Sequence, residues 1–209
     1  MQLIGMLDSP YVRRVAVSLQ LLGLPFEHRS ISVFRGFDEF SRINPVVKAP
    51  TLVCDDGGVL MDSTLILEYA EALAAPRSLM PAAIADRQRT LQLVGLALAA
   101  CEKSVQIVYE RHLRPAEKQH APWVARVQGQ LAAALAALDA ELARRALACT
   151  TSTVDQAGVS AAVTWFFVRA MLPELVSAAQ HPALQAHSEQ AERLPAFSKA
   201  PHGEGVVAT

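Results

Sequence analysis

The chain contains the residues Asn44-Pro45-Val46-Val47-Lys48-Ala49-Pro50-Thr51-Leu52-Val53, and Leu60-Met61-Asp62-Ser63-Thr64 begins nine positions after Thr51. A proline directly before a β run cannot donate a hydrogen bond to the sheet, and a cis bond before it fixes a tight turn at the strand entrance. The backbone N–H and C=O groups of Ala49 are then left unpaired. This pattern predicts a sheet edge with which a short extended peptide can pair.

Asp62 and Ser63 stand at the start of the next predicted helix, where they bring a carboxylate, a hydroxyl and backbone amides together. Free N–H groups at a helix N-terminus attract a carboxylate, and an acidic side chain attracts an ammonium group. We therefore expect these two residues to hold the charged end of such a peptide. Alternatively, they cap the helix and do nothing more.

Short β-type runs alternate with helical patterns from Leu3 to about Ala75, which predicts a layered α/β unit with at least one parallel strand pair. The Asp55-Asp56-Gly57-Gly58 turn makes the last two strands antiparallel. Strands are predicted over Leu3–Met6, Phe26–Ser32, Thr51–Cys54 and Val59–Met61, and helices from the cap Ser9 to Gly23, over Phe37–Ile43, and from Asp62 to Leu73. This order of elements is the thioredoxin-like arrangement.

Pro76 and Pro81 interrupt any helix, so residues 77–85 are predicted as a linker between a first domain of residues 1–76 and a second of residues 86–209. Beyond the linker, apolar residues recur at helical spacing and predict two long helices. A capping signature, Ser152 to Asp155, announces an almost wholly apolar helix, in which the Ser152 hydroxyl is expected to serve the Asp155 amide. The remaining predictions are a buried central helix over Ala157–Met171, a helix at Pro182–Gln190, a turn at Pro195–Phe197 and a loose tail from Gly203 to Thr209.

The composition favours a folded chain that acts on a small molecule. The 209 residues are 52% hydrophobic, and a net charge of -1 gives no electrostatic reason to expect nucleic acid or an anionic membrane as partner. The first residues lack an export signal and the apolar runs are too short to span a bilayer, so we expect a cytoplasmic chain with no membrane span. Three scattered cysteines are expected as buried thiols, and six isolated histidines predict no metal site.

Taken together, these parts resemble the glutathione transferase superfamily, in its bacterial, serine-type branch. The resemblance covers nearly the whole chain, because the α/β half, the proline linker and the helical half with its Ser152/Asp155 cap occur in the family's order. It implies the glutathione transferase fold, which is a thioredoxin-like N-terminal domain followed by an all-α C-terminal domain. It also implies glutathione as co-substrate, a small apolar electrophile as second substrate, and a homodimer formed through helix three and the first helices of the C-terminal domain.

The resemblance gives Ser9 the catalytic role, because it matches the family's hydroxyl or thiol residue at the start of helix one, which contacts the sulfur of glutathione. A hydroxyl donor at the positive end of a helix favours a thiolate over a thiol, whose ordinary pKa is roughly 8.5. Alternatively, Ser9 only caps the helix. Tyr11 is the rival hydroxyl, and Arg13 or Arg14 either adds positive potential or is simply solvated. No cysteine stands at this position, which disfavours disulfide exchange.

The other site residues also follow from the resemblance. Ala49, before Pro50, is expected to pair its backbone with the cysteine of glutathione, and Asp62 and Ser63 hold the γ-glutamyl end. Lys48 either approaches the glycine carboxylate or is a plain surface lysine. A second-substrate pocket between the domains is expected to be lined by Leu7, Val105, Tyr109, His112 and Trp165. Aromatic residues at helical spacing are more often core residues, however, and Trp165 lies in the most apolar helix.

Three functions remain open from the sequence. The first is a glutathione transferase that promotes attack of the glutathione thiolate on an apolar electrophile. The second is a glutathione-binding member of the family that has lost turnover and serves a regulatory role. The third is a glutathione-dependent isomerase or dehalogenase.

Overall fold

The computed structural model describes residues 1–208, and the chain divides into two units. The first unit comprises Met1–Met80 and the residues from Arg193 onward, and the second comprises Pro81–Glu192. The first contains β1 (Gln2–Ile4), α1 (Pro10–Leu22), β2 (Glu27–Arg29), α2 (Phe37–Ile43), β3 (Thr51–Val53), β4 (Val59–Met61), α3 (Ser63–Ala74) and α8 (Pro195–Ser198), and the second contains α4 (Ile84–His112), α5 (Ala121–Arg144), α6 (Gln156–Met171) and α7 (Pro182–Ala191). The predicted fold class, α/β followed by all-α, is confirmed.

The four strands form one sheet in the order β2-β1-β3-β4. β1 and β2 are parallel, whereas β3 runs antiparallel to both β1 and β4. The turn residues predicted the antiparallel pairing of β3 with β4. Thr51, at the start of β3, is paired with Ile4 at the end of β1 and with Met61 at the end of β4. The segments that leave β1 and β4 and the segment that enters β3 therefore lie at one edge of the sheet.

Local signals explain the boundaries of α1. Pro10 occupies the first helical position, where its missing N–H leaves no bond unmade, and the Ser9 side chain accepts a hydrogen bond from the Val12 N–H at 3.4 Å. Gly23 ends the helix with a φ of 72°, a left-handed conformation that glycine adopts without a Cβ penalty. The predicted limits of this helix are confirmed.

The second unit is a helical bundle with one continuous apolar core. The core draws on α4, α5, α6 and α7, with contributions such as Leu93, Leu135, Trp165 and Leu184. Twelve of the sixteen residues of α6 are buried, so its prediction as the central helix is confirmed. An 18-residue window of α4 reaches a mean hydropathy of 1.4, and 39% of it is buried. Since a core helix passes the same test of length and composition, this window is weak evidence for a membrane span.

The cap of α6 differs from the predicted arrangement. Asp155, rather than Ser152, is the N-cap, and its carboxylate accepts hydrogen bonds from the Gly158 N–H at 2.9 Å and from the Thr90 hydroxyl at 3.0 Å. Ser152 is exposed and bonds to the Thr150 hydroxyl at 3.2 Å. The sequence placed the cap three residues too early, because a separate turn closed by Thr150 and Thr153 precedes the helix.

The end of the chain is not the loose tail that the sequence predicted. From Arg193 onward it belongs to the first unit, where the Ala196 C=O accepts from the Gln20 amide at 2.9 Å. Beyond α8, the Glu204 C=O accepts from the Ser30 hydroxyl at 2.6 Å and the Val207 N–H donates to Nδ1 of His28 at 3.1 Å. Thr209 lies outside the described residues. The predicted boundary gave all of 86–209 to the helical domain, but the structure places this last segment against α1 and β2.

The hydrogen bonds of His28 define its protonation state. Because Nδ1 accepts from Val207, the proton is on Nε2, which donates to the Gly5 C=O at 2.7 Å. Burial lowers the pKa of His28 from its ordinary 6.5. As the pH falls below 6.5 the unfolded chain binds this proton first, so stability is lost on acidification. A proton on Nδ1 would also break the hydrogen bond from Val207, because two N–H donors would then face each other.

Acidification from pH 7 to pH 5 is therefore expected to lower the hydrogen-exchange protection of the Val207 amide more than that of amides in α1. The comparison is made by NMR-detected exchange, with intrinsic rates corrected for pH. His28→Gln should remove most of the extra pH dependence, whereas His112→Gln, a change at an exposed histidine, should not. Equal pH dependence in wild type and His28→Gln would show that His28 does not hold this segment.

Several large apolar side chains remain exposed in both units. They include Leu65 and Leu73 on α3 and Ile84 and Leu91 on α4. These are the helices on which the family resemblance placed a homodimer contact, and the dimer stays a prediction. Of the three cysteines expected as buried thiols, Cys54 and Cys101 are buried, whereas Cys149 is half-exposed, and all three are free.

Candidate functional site

Three of the predicted site segments meet at the sheet edge defined by the β1, β3 and β4 register. Ser9 follows β1 and caps α1, Ala49 stands two residues before β3, and Asp62 directly follows β4 and caps α3. Each segment carries a different group to this edge, namely a hydroxyl, an extended piece of backbone and a carboxylate. The antiparallel pairing of β3 with both neighbours is what brings residues so distant in sequence together.

Gly5 allows the segment after β1 to pass closely between α1 and the loop before β3. Its φ is 133°, and a Cβ added there would lie 2.7 Å from Cγ2 of Val12 and 3.0 Å from Cβ of Ala49. The first distance is too short for a Cβ and the second is tighter than most Cβ contacts, and L-residues rarely adopt this φ. Ala49 is therefore packed against the segment that leads to Ser9.

The backbone of Ala49 is open in the way the sequence indicated. The Ala49–Pro50 peptide bond is cis, Pro50 is buried and Ala49 is half-buried. Within residues 1–208, neither the N–H nor the C=O of Ala49 has a hydrogen-bonding partner. Lys48 is exposed, and its C=O accepts from the Thr51 hydroxyl at 2.7 Å. An extended peptide can pair with this unoccupied donor and acceptor.

Asn44 holds the loop before β3 in place, a role that the sequence analysis missed. It is 4% exposed, and its side-chain amide donates to the Thr51 hydroxyl at 2.8 Å while its Oδ1 accepts from the Val46 N–H at 3.0 Å. Val47, in the middle of the loop, has a φ of 51°, which is unfavourable for a β-branched residue. The Asn44-Pro45 pair was the available signal, because asparagine before proline favours a turn.

Asp62 occupies an unusual backbone conformation at the start of α3. Its φ of 73° and ψ of 129° lie outside the regions that non-glycine residues favour, at a conformational cost of about 1–3 kcal/mol. Its carboxylate accepts from the Thr64 N–H at 2.9 Å, which aligns the carboxylate with the first turn of the helix. Ser63, the next residue, is 2% exposed. The arrangement provides a negative side chain beside the positive end of a helix.

Arg13 and Arg14 are both buried, so the alternative that they are simply solvated is wrong. Arg13 is 1% exposed, donates from Nε to the Ala200 C=O at 2.8 Å, and lies over the Phe197 ring. Arg14 is 4% exposed and donates from Nη1 to the Ser63 hydroxyl at 3.1 Å. Their position on the buried side of α1, against residues that are distant in sequence, gave no local signal.

Among the residues expected to line a second-substrate pocket, Leu7 and Trp165 are buried. Leu7 is 0% exposed, and Trp165 is 2% exposed in the core of the helical unit, with its Nε1–H donating to the Gln185 side chain at 2.8 Å. Both side chains pack against other protein groups in the structure, and the pocket that they were expected to line stays a prediction. Val105, Tyr109 and His112 follow one another at helical spacing on α4, where Tyr109 is 44% exposed.

The end of the chain adds charge near Ser9. Burial raises the pKa of Asp8, the residue before Ser9, while the charges of His202 and Arg35 oppose the shift. The charge of Glu204 adds to the upward shift, so charged side chains of the last segment act on Asp8. In the part of the chain that the structure describes, no group of three or more metal-ligating side chains occurs.

Comparison with known proteins matches both units. Residues 3–78 match the family model "Glutathione S-transferase, N-terminal domain" and residues 121–190 match "Glutathione S-transferase, C-terminal domain". A glutathione transferase family member from Pseudomonas fluorescens Pf-5, solved with bound glutathione, is 30% identical, with a TM-score of 0.83 over 97% of this chain and 98% of that one. The chain belongs to the glutathione transferase superfamily.

Two further relatives agree with this placement. A glutathione S-transferase from Methylobacterium radiotolerans, solved with glutathione sulfonate, is 26% identical, with a TM-score of 0.88 over 100% of this chain and 98% of that one. An uncharacterised glutathione-transferase-like protein of Escherichia coli K12 is 25% identical over 173 residues, which are 83% of this chain and 85% of its own. The predicted family is thereby confirmed.

Proposed function

We propose that this member of the superfamily binds reduced glutathione in its first unit and promotes attack of the glutathione thiolate on a small apolar electrophile. The observation that carries the proposal is the convergence of Ser9, Ala49 and the Asp62–Ser63 pair at one sheet edge. Glutathione offers a charged amino-acid end, a peptide backbone and a thiol in that order. The site offers a matching carboxylate and helix N-terminus, an open backbone and a hydroxyl.

In this proposal the γ-glutamyl ammonium pairs with Asp62, and the neighbouring carboxylate lies at the N-terminus of α3 near Ser63. The cysteine backbone pairs with the N–H and C=O of Ala49, which have no partner within residues 1–208. The Ser9 oxygen already accepts from the Val12 N–H, so its proton is available to donate to sulfur. That bond and the helix N-terminus favour the thiolate at neutral pH.

The proposed reaction is nucleophilic substitution. The thiol proton leaves to solvent, the sulfur electron pair forms a bond to the electrophilic carbon, and the leaving group departs with its own bonding pair. Ser9 stays a hydrogen-bond donor throughout and need not ionise. In an isomerisation, by contrast, sulfur would add to the substrate and leave it again, so glutathione would be regenerated.

Two measurements on the wild-type protein test the proposal. Calorimetry is expected to show saturable binding of reduced glutathione, and an assay with a chloronitroaromatic substrate is expected to show one thiol consumed for each chloride released. Binding without turnover on a panel of electrophiles would support the regulatory alternative. Turnover of an unsaturated diacid without thiol consumption would support an isomerase. The absence of any binding heat would contradict glutathione as the ligand.

A further inference from the structure

Arg14 is joined to Ser63 across the first unit. It lies on α1, 49 positions before Ser63, and is 4% exposed. Its Nη1 donates to the Ser63 hydroxyl at 3.1 Å and to the Thr64 hydroxyl at 3.4 Å. Both hydroxyls belong to the first turn of α3, the element that offers its free N–H groups to an anion. A buried positive charge is therefore held at an N-terminus that already favours negative charge.

The direction of the Arg14–Ser63 hydrogen bond constrains the serine proton. A guanidinium has only donors, so Ser63 Oγ must be the acceptor. The Ser63 proton is then free to point toward a second acceptor. Donation from a charged group also polarises the hydroxyl and makes it a better donor. Ser63 is 2% exposed, so few water molecules compete for that proton.

We propose that Arg14 is a positioning residue that turns the Ser63 hydroxyl into a dedicated donor for the α-carboxylate of the γ-glutamyl group. The proposal rests on the proposed function, because it concerns the same site. It goes further because it assigns the selectivity of this subsite for an α-carboxylate to Arg14, which does not itself contact the ligand. Ligands that carry the α-carboxylate gain from Arg14 through Ser63, whereas ligands that lack it gain nothing.

Arg13 provides a matched control on the same helix. It is as deeply buried as Arg14, but it donates to the Ala200 C=O and lies 5.8 Å from the centre of the Phe197 ring. These contacts anchor the end of the chain. Loss of Arg13 removes a buried guanidinium without touching Ser63, so it reproduces the general structural damage of such a change.

The experiment compares two ligands by calorimetry: reduced glutathione, and the same tripeptide with the α-carboxylate of its γ-glutamyl group replaced by hydrogen. Arg14→Gln is expected to raise the dissociation constant of glutathione roughly tenfold, the loss of one charge-assisted hydrogen bond, and to change that of the analogue less than about twofold. Arg13→Gln should leave the ratio of the two constants as in wild type. In a Ser63→Ala background, Arg14→Gln should have a much smaller effect on glutathione.

The outcomes separate this inference from the proposed function. If wild type binds glutathione but Arg14→Gln weakens both ligands equally, the positioning role is wrong and the proposed function stands. If wild type binds neither ligand, both fail. Should Arg14→Gln not fold, Arg14→Lys supplies the test, because it keeps the charge but loses the planar guanidinium fork. The lysine variant is expected to raise the dissociation constant of glutathione relative to that of the analogue, and a lysine variant with the wild-type ratio of the two constants would contradict the positioning role of Arg14.

Discussion

Trp165→Ala is expected to lower the free energy of unfolding by about 4 kcal/mol. The side chain is 2% exposed in the core shared by α4, α5, α6 and α7, so its removal leaves a cavity that neighbouring side chains fill only in part. Its Nε1–H also donates to the Gln185 side chain at 2.8 Å, and that bond is lost as well. The measurement is urea unfolding followed by circular dichroism, with the urea dependence fitted for each variant.

Two variants identify the cause. Trp165→Phe keeps most of the apolar volume but loses the bond to Gln185, and it should lower stability by about 1–2 kcal/mol. Trp123→Ala removes the other tryptophan, which is 45% exposed on α5, and should change stability by less than about 0.5 kcal/mol. If Trp165→Ala lost no more stability than Trp123→Ala, Trp165 would not contribute to the core as the structure indicates.

Elements marked by local signals could be predicted from the sequence. Ser9, Pro10 and Gly23 mark both ends of α1, and the Asp55–Gly58 turn fixes the antiparallel pairing of β3 with β4. The almost wholly apolar sequence of α6 predicted its burial. In these cases the deciding interactions join residues within a few positions of one another, so the sequence pattern and the structure agree.

Features that depend on distant partners could not be predicted. The sequence allowed Arg13 and Arg14 to be exposed to solvent, because it gives no sign of their hydrogen-bond partners. These partners, Ala200 and Ser63, lie 187 and 49 positions away. The same holds for the last segment, where Val207 bonds to His28 across 179 positions. A short tail with two glycines gives no local sign of such anchoring. Long-range hydrogen bonds of this kind become visible only with the tertiary structure.

The candidate site illustrates the same division. Ala49 and Asp62 were recognisable because a proline and a helix start stand beside them, and the sheet register then placed their segments at one edge. The pocket residues were less predictable. Leu7 and Trp165 carry the same apolar chemistry whether they line a pocket or fill a core, so the sequence alone does not separate the two roles.

Ser9→Ala is expected to lower kcat/KM for conjugation roughly 10- to 100-fold, while the dissociation constant of glutathione changes little. The factor corresponds to the loss of a hydrogen bond to a charged sulfur, worth about 1.5–3 kcal/mol. We expect binding to be retained because, in the proposed site, Asp62, Ser63 and the Ala49 backbone hold the rest of the peptide. The N-cap bond from the Val12 N–H at 3.4 Å is also lost, which destabilises α1 by about 1 kcal/mol, so both enzymes are assayed at a temperature where each is fully folded.

The pH profile separates thiolate stabilisation from this loss of helix stability. The quantity to follow is kcat/KM for the electrophile at saturating glutathione, because it reports the pKa of the bound thiol. If the Ser9 hydroxyl stabilises the thiolate, the midpoint of its pH profile should shift upward in Ser9→Ala, toward the ordinary thiol pKa of roughly 8.5. Ser9→Thr keeps a hydroxyl that can both cap the helix and donate to sulfur, and it should retain a midpoint near that of wild type. A Ser9→Ala enzyme with the wild-type midpoint and rate would leave Ser9 as a helix cap, and Tyr11, in the first turn of α1, would become the next hydroxyl to test.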